Sequence, residues 1–276
     1  MTTQHAWHDR YDRHAAGYAR QLEPTFAEAV ERVVKLASPG PGVRLLDLAT
    51  GTGAIARLAS AQGASVTGVD TSTGMLDVAR SLSPELDLRL ADASRLPFAA
   101  GAFDVVTCGL GLSHFAELER ALAEMLRVLT SGGTLVASAW ANGSSFPTTG
   151  VAEILERYAG EAPTTVDEET WADAPRGSDV LRAAGFVQVS VSAAPYAGEF
   201  ADAQQALDWF VAWPLTAARL AQLDPVDRKR FLDDARELLE AKSLAWKFVF
   251  NFYVARRLSP AGQKTPEVTS GAGTGS

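Results

Sequence analysis

The chain has 276 residues, 47% of them apolar, with 25 basic against 33 acidic groups for a net charge of −8; that length suits one α/β domain with an appendage and a well-buried core. No basic stripe of the kind that tracks phosphate backbones is present, which excludes nucleic acid as the expected partner, and the single cysteine, Cys108, excludes an intrachain disulfide and a cysteine-built zinc site. No stretch approaches the roughly 18 uninterrupted apolar residues of a membrane span, and the opening MTTQHAWHDRYDRHAAGY lacks an apolar signal core, so a cytoplasmic protein without a membrane partner is expected.

Residues 1–37 read as an N-terminal cap of two helices, with Pro24 at the start of the second and Ser38-Pro39-Gly40-Pro41-Gly42 ending it. The run Val43 to Leu48 is short, apolar and bounded by glycines, as a buried parallel strand should be. Ser65 to Val69, Leu86 to Leu90, Phe103 to Thr107 and Thr134 to Trp140 are further strands. Between the last two, Leu118, Leu122, Met125 and Leu129 share one helical face. Strand and helix alternating in this way predict a parallel sheet with helices on both faces over residues 38–199. Val187, Val189 and Val191 alternate with polar residues, and Trp246, Phe248, Phe250, Phe252 and Val254 alternate with Lys247, Val249, Asn251, Tyr253 and Ala255 within residues 245–258. Two such strands can pair antiparallel at the sheet edge. Residues 200–244 between them read helical, broken at Pro214, and are expected to form a lid or pocket wall. The tail 259–276 has no apolar periodicity and is expected to be disordered.

LDLATGTGAIA, residues 46–56, carries the densest chemical signal. A strand ends, the chain turns through Gly51 and Gly53, and a helix starts near Ala54, so that backbone approaches a ligand closely and unpaired N–H groups face an anion. Asp70 closes the next strand, where a carboxylate accepts hydrogen bonds from ribose hydroxyls. Gly51-x-Gly53-x-x-Ala56 alone also matches a dinucleotide fingerprint. Asp47, four residues before Gly51, opposes a pyrophosphate and attracts the sulfonium and amino groups of S-adenosylmethionine. It can also serve simply to order the glycine turn.

These segments resemble the class I S-adenosylmethionine-dependent methyltransferases, and most closely the small-molecule branch with quinone C-methyltransferases and natural-product tailoring enzymes. LDLATGTG (46–53), GVD (68–70), ADASRLPF (91–98), FDVVTCGLGLSHF (103–115), LRVLTSGGTLVASAW (126–140) and LRAAGFVQVSVS (181–192) are similar to its ordered motifs. The resemblance covers about two thirds of the chain. It implies a Rossmann-like seven-stranded sheet, mostly parallel with an antiparallel last strand, with helices on both faces and a helical lid insertion. It implies S-adenosylmethionine as cofactor. The methionine end would lie on Asp47, Ala49, Gly51 and Gly53, the ribose on Asp70 and Thr71, and the adenine on Met75, Asp92 and Ala93, with Cys108 close by. Ala49 replaces the commonest first glycine of the family, which implies an unstrained backbone there.

A methyl acceptor must lose a proton, and His114, just past the fourth strand, is the first candidate base, with His14 second. Either imidazole can instead be structural. Tyr18, Trp140, Phe146, Trp209 and Trp213 are candidates for lining an apolar pocket, or for pinning the insertion to the sheet. No His, Asp or Glu set has metal-ligand spacing, so no metal is expected. The reading is methyl transfer to a small, largely apolar or aromatic metabolite, with the acceptor atom and the oligomeric state open. Its rivals are an enzyme of the same fold using the sulfonium charge for cyclisation or decarboxylation, a non-catalytic cofactor-binding subunit, and a nicotinamide oxidoreductase.

Overall fold

The computed structural model describes residues 3–162 and 167–259, with side chains from residue 10 onward. The tail expected to be disordered lies, beyond Ser259, outside the described residues. Seven strands form one sheet: β1 (Arg44–Leu48), β2 (Ser65–Asp70), β3 (Asp87–Leu90), β4 (Phe103–Gly109), β5 (Leu129–Trp140), β6 (Val187–Glu199) and β7 (Ala245–Arg256). Their order is β3-β2-β1-β4-β5-β7-β6. β1 through β5 pair parallel, and β7 runs antiparallel between β5 and β6.

The apolar runs of the central strands are buried on both faces. Leu45, Val105 and Val136 pack into one cluster with α2 (Ala27–Ala37) and α3 (Ala54–Ala61), whereas Leu46, Val106 and Leu135 pack into another with α5 (Leu118–Val128). Period-two alternation thus sends successive residues to opposite layers. Strand order reverses between β1 and β4, and that reversal opens a crevice at the carboxyl ends of the strands.

The N-terminal segment departs from the expected pair of helices. α1 (Thr3–Gly17) runs on through a π-helical turn (Tyr18–Leu22) and a 3₁₀ turn (Glu23–Phe26) before α2 begins. Pro24 sits in the 3₁₀ turn, where its missing N–H costs nothing, and the second helix starts three residues later. α4 (Thr73–Leu82) follows β2. Residues between β5 and β6 add α6 (Thr149–Ala159), α7 (Glu168–Ala172) and α8 (Ala174–Ala183), of which the sequence pattern gave no clear sign for the first two. The segment before β7 is α9 (Ala203–Ala212), α10 (Pro214–Leu220), with Pro214 at its first position, and α11 (Pro225–Glu240). No described helix is long and apolar enough to cross a membrane.

Candidate active site

The turn after β1 is built from backbone strain and one buried acid. Ala49, Gly51 and Gly53 have φ of 51°, 55° and 86°. The expectation of an unstrained backbone at Ala49 is therefore wrong: an alanine holds a left-handed conformation that costs an L-residue roughly 1–2 kcal/mol. The turn is pinned in return, since Thr50 N–H donates to Val69 O and Gly53 N–H to Thr50 O at 3.0 and 2.8 Å. Asp47 sits below it, 1% exposed, and accepts from Thr50 Oγ1 and Thr107 Oγ1, each at 2.7 Å. Burial pushes its carboxyl up to about 6 despite those bonds.

Asp70 closes β2 and reaches across to this turn. Its Oδ2 accepts from Gly51 N–H at 2.8 Å and its Oδ1 from Ser72 N–H at 2.9 Å. Past β3, Asp92 Oδ1 accepts from Ser94 N–H at 2.8 Å, which fixes the loop there.

One cavity of about 590 Å³ runs along these strand ends. Ala49, Gly51, Asp70, Thr71, Met75, Asp92 and Ala93 border it on one side, and Tyr18, His114, Trp140 and Trp213 on the other. The acids Asp70, Asp92, Glu117 and Asp167 border it, and among the described residues no lysine or arginine does. Six candidates stand apart, His14 among them. Asp47 faces a smaller cavity of about 70 Å³ behind the glycine turn. Gly53 does not border the large cavity either; it starts α3 from its left-handed position. Cys108 is fully buried, and burial pushes its thiol up, with the Asp47 charge adding to the effect, so it presents no nucleophile. Phe146 and Trp209 are not pocket walls: they stack on each other at 5.9 Å in the layer behind Trp140.

His114 ends a short 3₁₀ turn after β4, with its ring edge-on to Tyr11 at 5.9 Å. Its open surface faces the cavity, and the surrounding protein pushes its pKa down to about 4. The imidazole is neutral at pH 7 but a weak base. His14 lies on α1 outside the cavity border, its pKa lowered by burial and then by the Arg13 charge.

Sequence reasoning missed the contribution of α1. Tyr11 borders the cavity, and burial pushes both its phenol and that of Tyr18 above the ordinary range. Asp12 Oδ1 accepts from Ser72 Oγ at 2.6 Å and Gly74 N–H at 2.9 Å, which docks α1 on the start of α4. Glu23 accepts from Thr52 Oγ1 and pairs with Arg57, tying the 3₁₀ turn to the glycine turn. None of these residues stands in a local motif; only the sequence-distant pairing reveals them. Among the described residues no cluster of three or more His, Cys, Asp or Glu could hold a metal.

A family model described as a methyltransferase domain matches residues 46–137. A demethylmenaquinone methyltransferase of Renibacterium salmoninarum is 44% identical over 104 residues, which are 38% of this chain and 44% of that protein. The chain spans about half the length, or less, of the first curated relatives it matches. A demethylmenaquinone methyltransferase of Clavibacter sepedonicus is 34% identical over 168 residues, covering 55% of this chain and 69% of that protein. In fold, the chain is similar to a phosphoethanolamine N-methyltransferase of Haemonchus contortus solved with phosphomonomethylethanolamine and S-adenosylhomocysteine. That match has a TM-score of 0.55 at 19% identity and covers 90% of this chain and 58% of that one. With the glycine turn, the paired acids and a relative matched over more than two thirds of its length, this chain belongs to the class I S-adenosylmethionine-dependent methyltransferases.

Proposed function

We propose that the protein transfers a methyl group from S-adenosylmethionine to a small, neutral, largely aromatic acceptor such as a quinol or phenol. The observation that carries this is the one continuous cavity that joins Asp92, Asp70 and the glycine turn to an aromatic end at Trp140 and Trp213, with no lysine or arginine on its border among the described residues. Asp92 and Ala93 would hold the adenine edge, Asp70 the ribose hydroxyls, and Ala49 with Gly51 the methionine end. Met75, 2% exposed, forms part of the apolar floor. Asp47 would act through the field it sets up behind the turn, not by contact. The acidic border suits a sulfonium and disfavours a phosphorylated acceptor. The net charge of −8 likewise supports a small molecule rather than nucleic acid, in a cytoplasmic setting.

When bound, the cofactor supplies the electrophilic methyl group. The chain supplies alignment, which for an in-line displacement can account for most of the rate. Tyr11 and Tyr18, which border the cavity, would help to exclude water from it. His114, neutral at pH 7, can hold an acceptor hydroxyl as a hydrogen-bond acceptor but is too weak a base to keep its proton.

The test is calorimetric titration with S-adenosylhomocysteine beside NADH and NADPH, followed by incubation of S-adenosylmethionine with phenolic and quinol acceptors. Binding of the first ligand alone, a mass gain of one methyl group on an acceptor and release of S-adenosylhomocysteine are the expected results. Binding of a nicotinamide nucleotide instead would overturn the reading, and acceptor turnover without S-adenosylhomocysteine would replace methyl transfer by use of the sulfonium charge alone.

A further inference from the structure

Strand order gives the cavity a direction. β3, β2, β1, β4 and β5 lie side by side, and residues at or just past their ends border the cavity in that sequence: Asp92, Asp70, Gly51, Leu110 and Trp140. A cofactor on the first three leaves the acceptor the stretch from Leu110 to Trp140. That stretch ends in a wall. Trp140 is registered opposite Phe250 of β7 and packs on its ring at 4.6 Å. Trp213, between α9 and α10, meets Trp140 at 6.3 Å and Phe26 at 6.1 Å. Behind them Trp209 stacks on Phe248 at 5.6 Å, and Phe248 is fully buried. Rings packed at such distances have no void to move into.

Resting on the methyltransferase reading above, we propose that Trp140 and Trp213 set the size of the acceptor, forming an end wall that admits a compact ring system and excludes a longer fused one. Volume argues the same way. About 590 Å³ is the scale of a site for one drug-sized ligand. S-adenosylmethionine would take most of that volume, so what remains suits only a compact acceptor. Trp213 is the adjustable half of the wall. It is half-buried at the junction of two helices, whereas Trp140 is part of the sheet and also packs on Phe26, Phe146 and Phe248.

The experiment is calorimetric titration of the S-adenosylhomocysteine-loaded protein with hydroquinone, 1,4-dihydroxynaphthalene and 1,4-dihydroxyanthracene. The wild type should bind the two smaller probes and discriminate against the third by tenfold or more. Trp213→Ala should raise the affinity for three rings relative to two by at least tenfold, the scale on which an apolar pocket discriminates size. Trp213→Leu should move the ratio in the same direction by less. Affinity for S-adenosylhomocysteine should stay within twofold in both variants, because Trp213 stands at the far end of the cavity. A purely structural tryptophan would lower all three affinities together and leave their ratio unmoved. That result in both variants, or equal binding of two and three rings by the wild type, overturns the end wall while the cofactor reading stands. Failure of the wild type to bind S-adenosylhomocysteine overturns the reading beneath it.

Discussion

Gly74→Ala sets two effects of opposite sign against each other. Gly74 is the second residue of α4, and on helix propensity alone an alanine there should stabilise by about 0.5–1 kcal/mol. The structure reverses the sign. A Cβ at Gly74 would lie 2.2 Å from the carbonyl oxygen of Asp12 and 2.8 Å from its carbonyl carbon and Cα. These are backbone atoms and cannot rotate away. α4 cannot retreat either, since Leu76 and Ala79 are fully buried beneath it. α1 must therefore move. A retreat of about 1 Å takes the bonds from Ser72 Oγ and Gly74 N–H to Asp12, now 2.6 and 2.9 Å, past the length at which they count as bonds. Each hydrogen bond to a carboxylate contributes about 1.5–3 kcal/mol, so an upper bound of about 3–6 kcal/mol is lost against a gain below 1. The loss falls on the docking of α1, and Tyr11 leaves the cavity with it. The expected outcome is a folded sheet, faster tryptic cleavage at Arg10 and Arg13, and S-adenosylhomocysteine affinity lower by tenfold or more, about 1.4 kcal/mol. Limited proteolysis and calorimetry read both. An unchanged cleavage pattern together with unchanged affinity would refute the docking of α1 through Asp12.

Asp70→Ala leaves the Gly51 and Ser72 amides without their acceptor and should weaken S-adenosylhomocysteine by about 1.5–3 kcal/mol in calorimetry; unchanged affinity in a folded variant rules out the ribose placement. His114→Ala should cut turnover by less than about 100-fold and leave the rate profile between pH 6 and 8 unaltered, because the imidazole is already neutral there. Since burial lowers its pKa from 6.5 to about 4, the unfolded state binds more protons across that window, and acidification should cost the wild type stability that the variant keeps; identical urea midpoints as a function of pH would contradict this. Asp47 behaves oppositely. Its folded pKa is raised from 3.8 to about 6, so stability falls as pH rises through that window, and Asp47→Asn should raise ligand-free stability at pH 7.5 by about 1–3 kcal/mol. The same variant should lose more affinity for S-adenosylmethionine than for the uncharged S-adenosylhomocysteine; a lower melting temperature, or equal losses for both ligands, would defeat the argument.

The sheet and the glycine turn were legible because their signals are local. Buried parallel strands such as Arg44–Leu48 are apolar runs bounded by turns, and Gly51, Gly53 and Asp70 stand at fixed distances on consecutive elements. The aromatic end of the cavity was only half legible. Trp140 and Trp213 border the cavity while Phe146 and Trp209 form the layer behind, and a ring's composition is the same in either place. Tyr11, Asp12 and Glu23 were not legible at all. Each acts on a partner far along the chain, and Asp12 depends on an unremarkable glycine in α4 to come close enough. The strain at Ala49 escaped for a further reason: a left-handed alanine looks like any other alanine until neighbouring bonds force its φ.

The glycine turn and the strand order do not by themselves separate a sulfonium site from a dinucleotide site, since both use the same crevice. Electrostatics separates them. Asp70 lies close enough to raise the titration of Asp47, Tyr11, Tyr18 and Cys108. The guanidinium of Arg57, whose Nη1 donates to Thr52 O in the turn, is paired with Glu23. A pyrophosphate would bring two further negative charges into this field, where low dielectric makes each repulsion stronger than in water. A sulfonium would relieve it. The carboxyl of Asp47, held near pH 6 by burial, is therefore a cost in the protein alone that becomes a benefit only with a cation in front of the turn. Asparagine would avoid that cost at the same size, so the acid at position 47 is a mark of a cationic ligand in front of the turn.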